Sequence, residues 1–482
     1  MKTIFTFILC LLLFFPGKTN AQNVVERFLS SSYMSGASVS IMIKDIDCDS
    51  IVLKYDADRE VIPASVMKTV TTAAALEILG ENFRYETVIM YDGKINGDVL
   101  NGNVYIRGSG DPTLGSRHVK LNREKIFHDW IKAIKNAGIN TIKGSIIADE
   151  NIFDTEGISM KWLREDIGSY YGQGSYGLNI FDNSYSLFLN SGEPGNKPVI
   201  EKSEPELPSM IFHNYLTTAI AQKDSTYIVG FPYSNERYLY GIIPANSYGY
   251  KLKGDIPDPA LFLAQYFTRL LKNENITVIG DPTCYRVLTQ EGKWEKSEYT
   301  VLTTSFSPSL KEIVRITNHE SNNLYADALL KTIGLQYRTE EIVSSFGKGL
   351  IITNKHFEKK GLNTSSLWMF DGSGLAVTNK ITAGFLCNLL AYMATKSKSS
   401  IAFTESLPRA GIDGTVANML RGSALQGNVQ LKSGSMSRVR SYTGYVTNNN
   451  KRYAIAIIVN NFSCNQSQIK NDIEQLLLSL FK

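Results

Sequence analysis

The histidines of this 482-residue chain lack zinc-peptidase spacing. There are five, at His118, His128, His213, His319 and His356, and none stands in an H-E-x-x-H pattern. A two-histidine helical zinc site of the metallopeptidase kind is therefore excluded. Cysteine is scarce and scattered, at Cys10, Cys48, Cys284, Cys387 and Cys464, with no C-x-x-C pair. That spacing excludes a zinc ribbon and a disulfide scaffold, and leaves buried thiols or at most one incidental disulfide. No G-x-S-x-G elbow occurs, which argues against an α/β-hydrolase. A charge excess is also missing: 50 Lys and Arg face 46 Asp and Glu, a net +4. So even a balance carries no footprint for nucleic acid. Repeats and low-complexity tracts are absent.

Long hydrophobic runs are missing too. The one candidate, Ile4 to Phe15, is about 12 residues, short of the ~20 that cross a bilayer. Met1-Lys2 precedes it, Pro16-Gly17 breaks it, and Thr19-Asn20-Ala21 supplies small residues. This is a secretory signal pattern, with cleavage expected after Ala21. Cys10 follows Leu9 inside the run, where a lipidation site would need a small residue. Loss of Lys2 and Lys18 would leave a charge of about +2. The expectation is an exported chain, periplasmic or otherwise extracytoplasmic, with no integral membrane span.

What is present begins with an ordinary globular composition, 43% apolar and 20% charged. At this length two or three domains are expected. Ser38–Ile43 and Ile51–Tyr55 read as strands around a polar turn. A helix is expected from Ser65 to Leu79, stopped by Gly80. Near the other end, Val429–Lys432, Tyr442–Thr447 and Tyr453–Asn460 read as successive strands, and Ile469–Phe481 as an amphipathic helix. Between about Arg84 and Glu298 short strands alternate with Gly, Pro, Asn and Asp turns. Only a few helical stretches interrupt them, such as Arg123–Ala137 and Pro259–Lys272. The reading is an α/β domain formed by residues 22–83 and 299–482. A mostly β region, 84–298, is inserted into it and forms either one domain or two nested ones.

Three motifs carry the chemistry. Ser65-Val66-Met67-Lys68 places a hydroxyl and an amine three residues apart at a helix start, where both share one face. A serine hydroxyl is a weak nucleophile until a base takes its proton. Lysine can be that base only if burial or a nearby cation keeps it neutral. S-x-x-K recurs at Ser345–Lys348 and Ser467–Lys470, so the pattern alone selects nothing. Order does. Ser321-Asn322-Asn323, an S-x-N, follows, and then Lys432-Ser433-Gly434-Ser435, a K-S-G at the end of an expected strand. Together they match the S-x-x-K, S-D-N and K-T-G set of penicillin-binding proteins and class A β-lactamases. In that logic Ser321 relays a proton to the leaving amine. Asn323 holds the substrate amide and Lys68. Lys432 lowers the Lys68 pKa and attracts a substrate carboxylate, which Ser433 hydrogen-bonds. Gly434 keeps the strand open. The N–H groups of Ser65 and Ser435 form an oxyanion hole, worth about 3 kcal/mol per donor.

With these motifs the chain resembles the class C low-molecular-mass penicillin-binding proteins, the D-alanyl-D-alanine carboxypeptidase/endopeptidases of peptidase family S13. Ile106–Leu114, Asp371-Gly372-Ser373-Gly374-Leu375 and Leu407–Thr415 resemble further segments of that family, and the match spans nearly the whole mature chain. The interval of 256 residues from Ser65 to Ser321 suits it; class A β-lactamases have a far shorter one. Ser433 stands where the family usually has threonine, which keeps the hydroxyl. Ala376–Asn379 is looser than the common pattern.

The resemblance implies a penicillin-binding, serine β-lactamase-like transpeptidase fold, an antiparallel sheet flanked by helices. It implies peptidoglycan stem peptides or cross-links as substrates, β-lactams as inhibitors, an acyl-enzyme on Ser65, and no metal or cofactor. It also implies that Asp166 to Tyr171 lies over the active site, with Asp166 and Tyr171 contacting a substrate's diamino-acid side chain or simply packing between domains. Gly172–Gly177 spells G-x-G-x-x-G but lacks the strand and helix of a dinucleotide site. The rival readings are a β-lactamase or esterase on the same scaffold, and a module that binds peptidoglycan or β-lactam without turnover.

Overall fold

The computed structural model describes residues 20–120, 123–220, 225–336 and 344–482. Nearly all of the expected leader, residues 1–19, lies outside them. Among the described residues no helix is long and apolar enough to cross a membrane.

The apolar strands of the two chain ends meet in one five-stranded antiparallel sheet. Its order is Ser50–Tyr55, Ser38–Asp45, Lys451–Asn460, Val439–Asn448 and Val429–Met436. Lys451–Asn460 is central, and its run of apolar residues reflects cover on both faces. Side chains alternate across a strand. Ala454, Ala456 and Ile458 enter one core cluster, while Ile455, Ile457 and Val459 enter the other. Fully burying each isoleucine or valine contributes about 1.5–3 kcal/mol. The first cluster is closed by helices Met67–Leu79, Leu310–His319, Asn323–Gly334 and Ala383–Thr395. The second is closed by Asn20–Leu29 and Gln466–Leu480. Met67–Leu79 is buried at every position from Met67 to Leu76. A helix enclosed on every side belongs to the core, its polar Lys68, Thr69, Thr71 and Thr72 included, and Gly80, with φ +84°, ends it.

Val429–Met436 is the last strand of this sheet. Its outer edge is occupied only at its start: Ala410 N–H donates to Val429 O and Leu431 N–H to Pro408 O. Among the described residues, no strand pairs with Ser433–Met436 on that side.

The middle of the chain forms small sheets around a separate core cluster. One has five strands, in the order Thr283–Cys284, Ile146–Asp149, Val104–Arg107, Glu86–Tyr91 and Thr300–Phe306. Because Thr300–Phe306 pairs with Glu86–Tyr91, we propose that the inserted region ends after Phe306 rather than at Glu298. A three-stranded sheet combines Ile211–Asn214, Glu236–Tyr240 and Tyr227–Val229. The buried guanidinium of Arg237 ties that sheet to Asp255 at 2.8 Å.

Candidate active site

Ser65 sits in a single 3-10 turn, Ala64–Val66, which leads directly into the buried helix. Its entry is tight. Ala64 has φ +50°, and a Cβ on Gly374 would stand 2.1 Å from the Ala64 carbonyl oxygen. Only glycine lets the Asp371–Leu375 turn press so closely against the serine. One turn on, the buried Lys68 ammonium donates to Ser65 Oγ at 3.0 Å, Asn323 Oδ1 at 2.6 Å and Ser373 O at 2.6 Å. Burial holds its pKa below the usual lysine range, against the upward pull of Asp327 and Asp371. The sequence assigns that depression to Lys432; in the structure burial causes it, and the charges that act on Lys68 are the two carboxylates, which oppose it. A neutral Lys68 amine could accept the Ser65 proton along the same 3.0 Å line.

Ser321 occupies the turn between helices Leu310–His319 and Asn323–Gly334 with φ +54°. A non-glycine residue held there costs on the order of 1–3 kcal/mol, a strain typical of functional turns. Asn322 caps the second helix, accepting from Tyr325 N–H at 3.2 Å. Asn323 thus begins that helix and reaches two ways, Oδ1 to Lys68 and Nδ2 to Tyr171 O at 2.8 Å.

Lys432, also fully buried, donates to Ser321 Oγ at 2.9 Å and to Ser433 O at 2.8 Å. Burial lowers its pKa far below normal, and the charges of Lys68 and Arg440 lower it further. Ser433 Oγ pairs with Thr415 Oγ1 at 2.7 Å. At Gly434 a Cβ would lie 2.3 Å from Ser441 Oγ, 2.8 Å from Pro63 O and 2.9 Å from Ser65 N. The strand therefore touches the backbone of the serine itself, and the glycine is needed for that approach. Ser435 next to it is exposed.

These elements surround a cleft of about 430 Å³ lined by Ser65, Ser321, Asn323, Ser435, Asp166 and Tyr171 among others. Lys68, Lys432, Ser433 and Gly434 are buried behind it. Asp166 and Tyr171 come from the inserted region. The Tyr171 hydroxyl hydrogen-bonds the Asp166 carboxyl, and burial raises the pKa of both. All ten residues singled out from the sequence are thus at or directly behind one cleft. The other two S-x-x-K matches lie elsewhere: Ser345 bonds Asp154, and Lys470 pairs with Glu474. Gly172–Gly177 is irregular chain, packed so that a Cβ on Gly172 would meet Asp166 O at 1.9 Å. All four described cysteines are free.

Sequence reasoning leaves out the support of Lys68. Asp327 is buried one turn along from Asn323, and its Oδ1 accepts from Gly372 N–H at 2.7 Å and Ser373 N–H at 3.1 Å. That grip aims the Ser373 carbonyl at Lys68. Burial raises the Asp327 pKa, and the neighbouring Asp371 adds to the rise. Asp371 accepts from Gly374 N–H, Ala376 N–H, Asn379 Nδ2 and Trp162 Nε1, at 2.7–2.9 Å. The signal available was Asp327, the lone acid of helix Asn323–Gly334.

The model of the D-Ala-D-Ala carboxypeptidase 3 (S13) family matches residues 21–480. The chain belongs to that family. A D-alanyl-D-alanine carboxypeptidase of an Actinomadura species is 26% identical over 457 residues, spanning 92% of this chain and 82% of that protein. D-alanyl-D-alanine carboxypeptidase DacB of Haemophilus influenzae is 23% identical over 452 residues, spanning 93% and 90%. The crystal structure of penicillin binding protein 4 from that organism shares the fold, with TM-score 0.81 and 22% identity over 96% of this chain and 100% of that one. A second structure of it, complexed with a β-lactam, has TM-score 0.76 and 22% identity over 96% and 99%. The expected family, fold class and serine carboxypeptidase function are borne out.

Proposed function

We propose that the enzyme works by two-step acyl transfer on Ser65 at a D-Ala-D-Ala end. The observation that carries this is the paired contact, Lys68 on Ser65 at 3.0 Å and Lys432 on Ser321 at 2.9 Å, opening on one cleft. Lys68 takes the Ser65 proton, and Oγ attacks the carbonyl of the penultimate D-alanine. The N–H groups of Ser65 and Ser435 receive the oxyanion, which Gly434 permits by bringing the two backbones together. Ser321, held by Lys432, passes a proton to the departing amine. Lys432 and Ser433 meet the terminal carboxylate, and Asn323 the substrate amide. Water then cleaves the acyl-enzyme.

The Asp166–Tyr171 pair, a buried carboxyl bonded to an exposed tyrosine on the cleft wall, supports a role in reading the diamino-acid side chain of the stem peptide. β-Lactams would acylate the same serine. The leader-like first 21 residues support export to the peptidoglycan compartment.

The deciding experiment is Ser65→Ala. It should abolish both labelling by a fluorescent penicillin and release of D-alanine from a pentapeptide stem. Labelling that persists in the variant would refute the assignment.

A further inference from the structure

The inserted region carries an exposed aromatic row on the sheet of Ile211–Asn214, Glu236–Tyr240 and Tyr227–Val229. Side chains alternate there as in any half-buried sheet. Ile228 and Leu239 point into the core, and Tyr227, Tyr238 and Tyr240 point outward. Tyr240 is flanked on both sides. Its ring stacks on Tyr215 at 5.3 Å and on Tyr227 at 5.4 Å, with planes within 11° and 22°. Tyr238 stacks on His213 at 4.6 Å. Tyr215 is 60% exposed, Tyr227 51% and the nearby Phe231 57%, so the row faces solvent rather than a neighbouring element.

A groove of about 210 Å³ runs beside this row, lined by Arg164, Phe231, Glu236, Tyr238 and Tyr240 among others. It backs onto the catalytic cleft. Arg164 lies between Leu163 and Glu165, which line that cleft. Gly230 N–H, one residue past the Tyr227–Val229 strand, donates to Ile167 O at 3.4 Å, and a Cβ on Gly168 would stand 2.7 Å from Gly230 N. One short segment, residues 163–168, thus forms a wall of both.

We propose that the groove and the tyrosine row bind the glycan strand of peptidoglycan, the polymer of N-acetylated amino sugars to which the stem peptides are attached. The proposal rests on the D-Ala-D-Ala reading of the cleft. A stem peptide seated there carries its sugar chain past the cleft wall by covalent connection. Sugar rings offer apolar C–H faces edged by hydroxyl and amide groups. Tyrosines, with flat rings and polar tips, suit both. Charge agrees as well: with its lactyl carboxyl tied up in the peptide link, the glycan is uncharged. The groove sets one cation, Arg164, against one anion, Glu236, which is itself engaged by Tyr238 Oη at 2.7 Å. Holding the polymer beside the cleft raises the effective concentration of the stem peptides along it. Remote binding of this kind raises kcat/KM without touching the reacting bond.

The test compares two substrates and one binding assay. Tyr240→Ser, and separately the exposed pair Tyr215→Ser with Tyr227→Ser, should lower kcat/KM on purified sacculi by about tenfold or more. Both variants should hydrolyse a free pentapeptide stem at the wild-type rate. They should also lose co-sedimentation with sacculi when the serine is blocked by a β-lactam. Equal loss on both substrates, unchanged activity and binding on sacculi, or concentration-dependent self-association through the row would overturn the proposal. Co-sedimentation reads the groove even if no D-alanine is released, so failure of the peptidase reading would be separately visible.

Discussion

At the scale of single residues, Lys68 is governed by what surrounds its ammonium. Burial favours the neutral amine, and the Asp327 and Asp371 carboxylates favour the charged one. On the proposed mechanism only the neutral form takes the Ser65 proton, so acylation should rise with pH until Lys68 is fully deprotonated. Asp327→Asn removes one of the charges that raise the Lys68 pKa, yet its amide oxygen can still accept from Gly372 and Ser373. The acid limb of the pH profile for β-lactam acylation should therefore move to lower pH. A limb that stays in place or moves upward would count against Asp327 as the tuning group. Motif order in the sequence singles out Ser65, Lys68, Ser321 and Lys432, which the structure brings together at one cleft. It did not reveal Asp327 or the Ser373 carbonyl, because neither role depends on residue type at a fixed spacing. Both arise from a turn, Asp371–Leu375, packed onto a helix that is close only in space.

At the scale of elements, the placement of Val429–Met436 against the Ser65 turn is the critical junction. Three atoms would crowd a methyl at Gly434, two of them backbone: Pro63 O and Ser65 N. Backbone cannot rotate away as a side chain can. Gly434→Ala should therefore push the strand off the serine and cut acylation by tenfold or more, at roughly 1–3 kcal/mol of overpacking. Stopped-flow acylation beside an unfolding curve would separate a local shift from general collapse. The strands and helices of the two chain ends were legible because they are long, apolar and periodic. Within the insertion the strands are short, such as Thr217–Ala219, and several pair in parallel across distant residues, as Ile211–Asn214 does with Glu236–Tyr240. Such pieces carry too few alternations for a pattern to register. The tyrosine row was invisible for a related reason: its rings come from two strands and from Tyr215, just past a third.

At the scale of the whole molecule, the inserted region braces the catalytic turn. Trp162 donates Nε1 to Asp371 at 2.8 Å, Ser159 Oγ donates to Phe370 O at 2.7 Å, and the buried Lys331 donates to Glu156 O and Ser175 O. Trp162→Phe keeps an aromatic ring but loses the indole N–H, one donor to a buried carboxylate, together with part of the side-chain volume. It should destabilise the protein by about 1–3 kcal/mol and lower kcat/KM, read by urea unfolding and by D-alanine release. Unaltered values would mean that the two regions work independently. Arg237→Ala leaves Asp255 buried without its partner, and should destabilise the tyrosine sheet by about 3–5 kcal/mol. Hydrogen exchange at Tyr227–Val229 and Glu236–Tyr240 would report it.

The half-occupied outer edge of Val429–Met436 has a further consequence. An extended peptide laid along Ser433–Met436 meets an edge that carries no further strand among the described residues, but towards Leu431 it runs into Pro408–Ala410, already hydrogen-bonded in place. The slot is blind at one end. A chain that continues has nowhere to go, and a chain that stops fits. On the proposed mechanism, selection for a terminus is then built from steric arrest as well as from the hydrogen-bond donors of Lys432 and Ser433, and removing the Lys432 amine would leave the arrest intact.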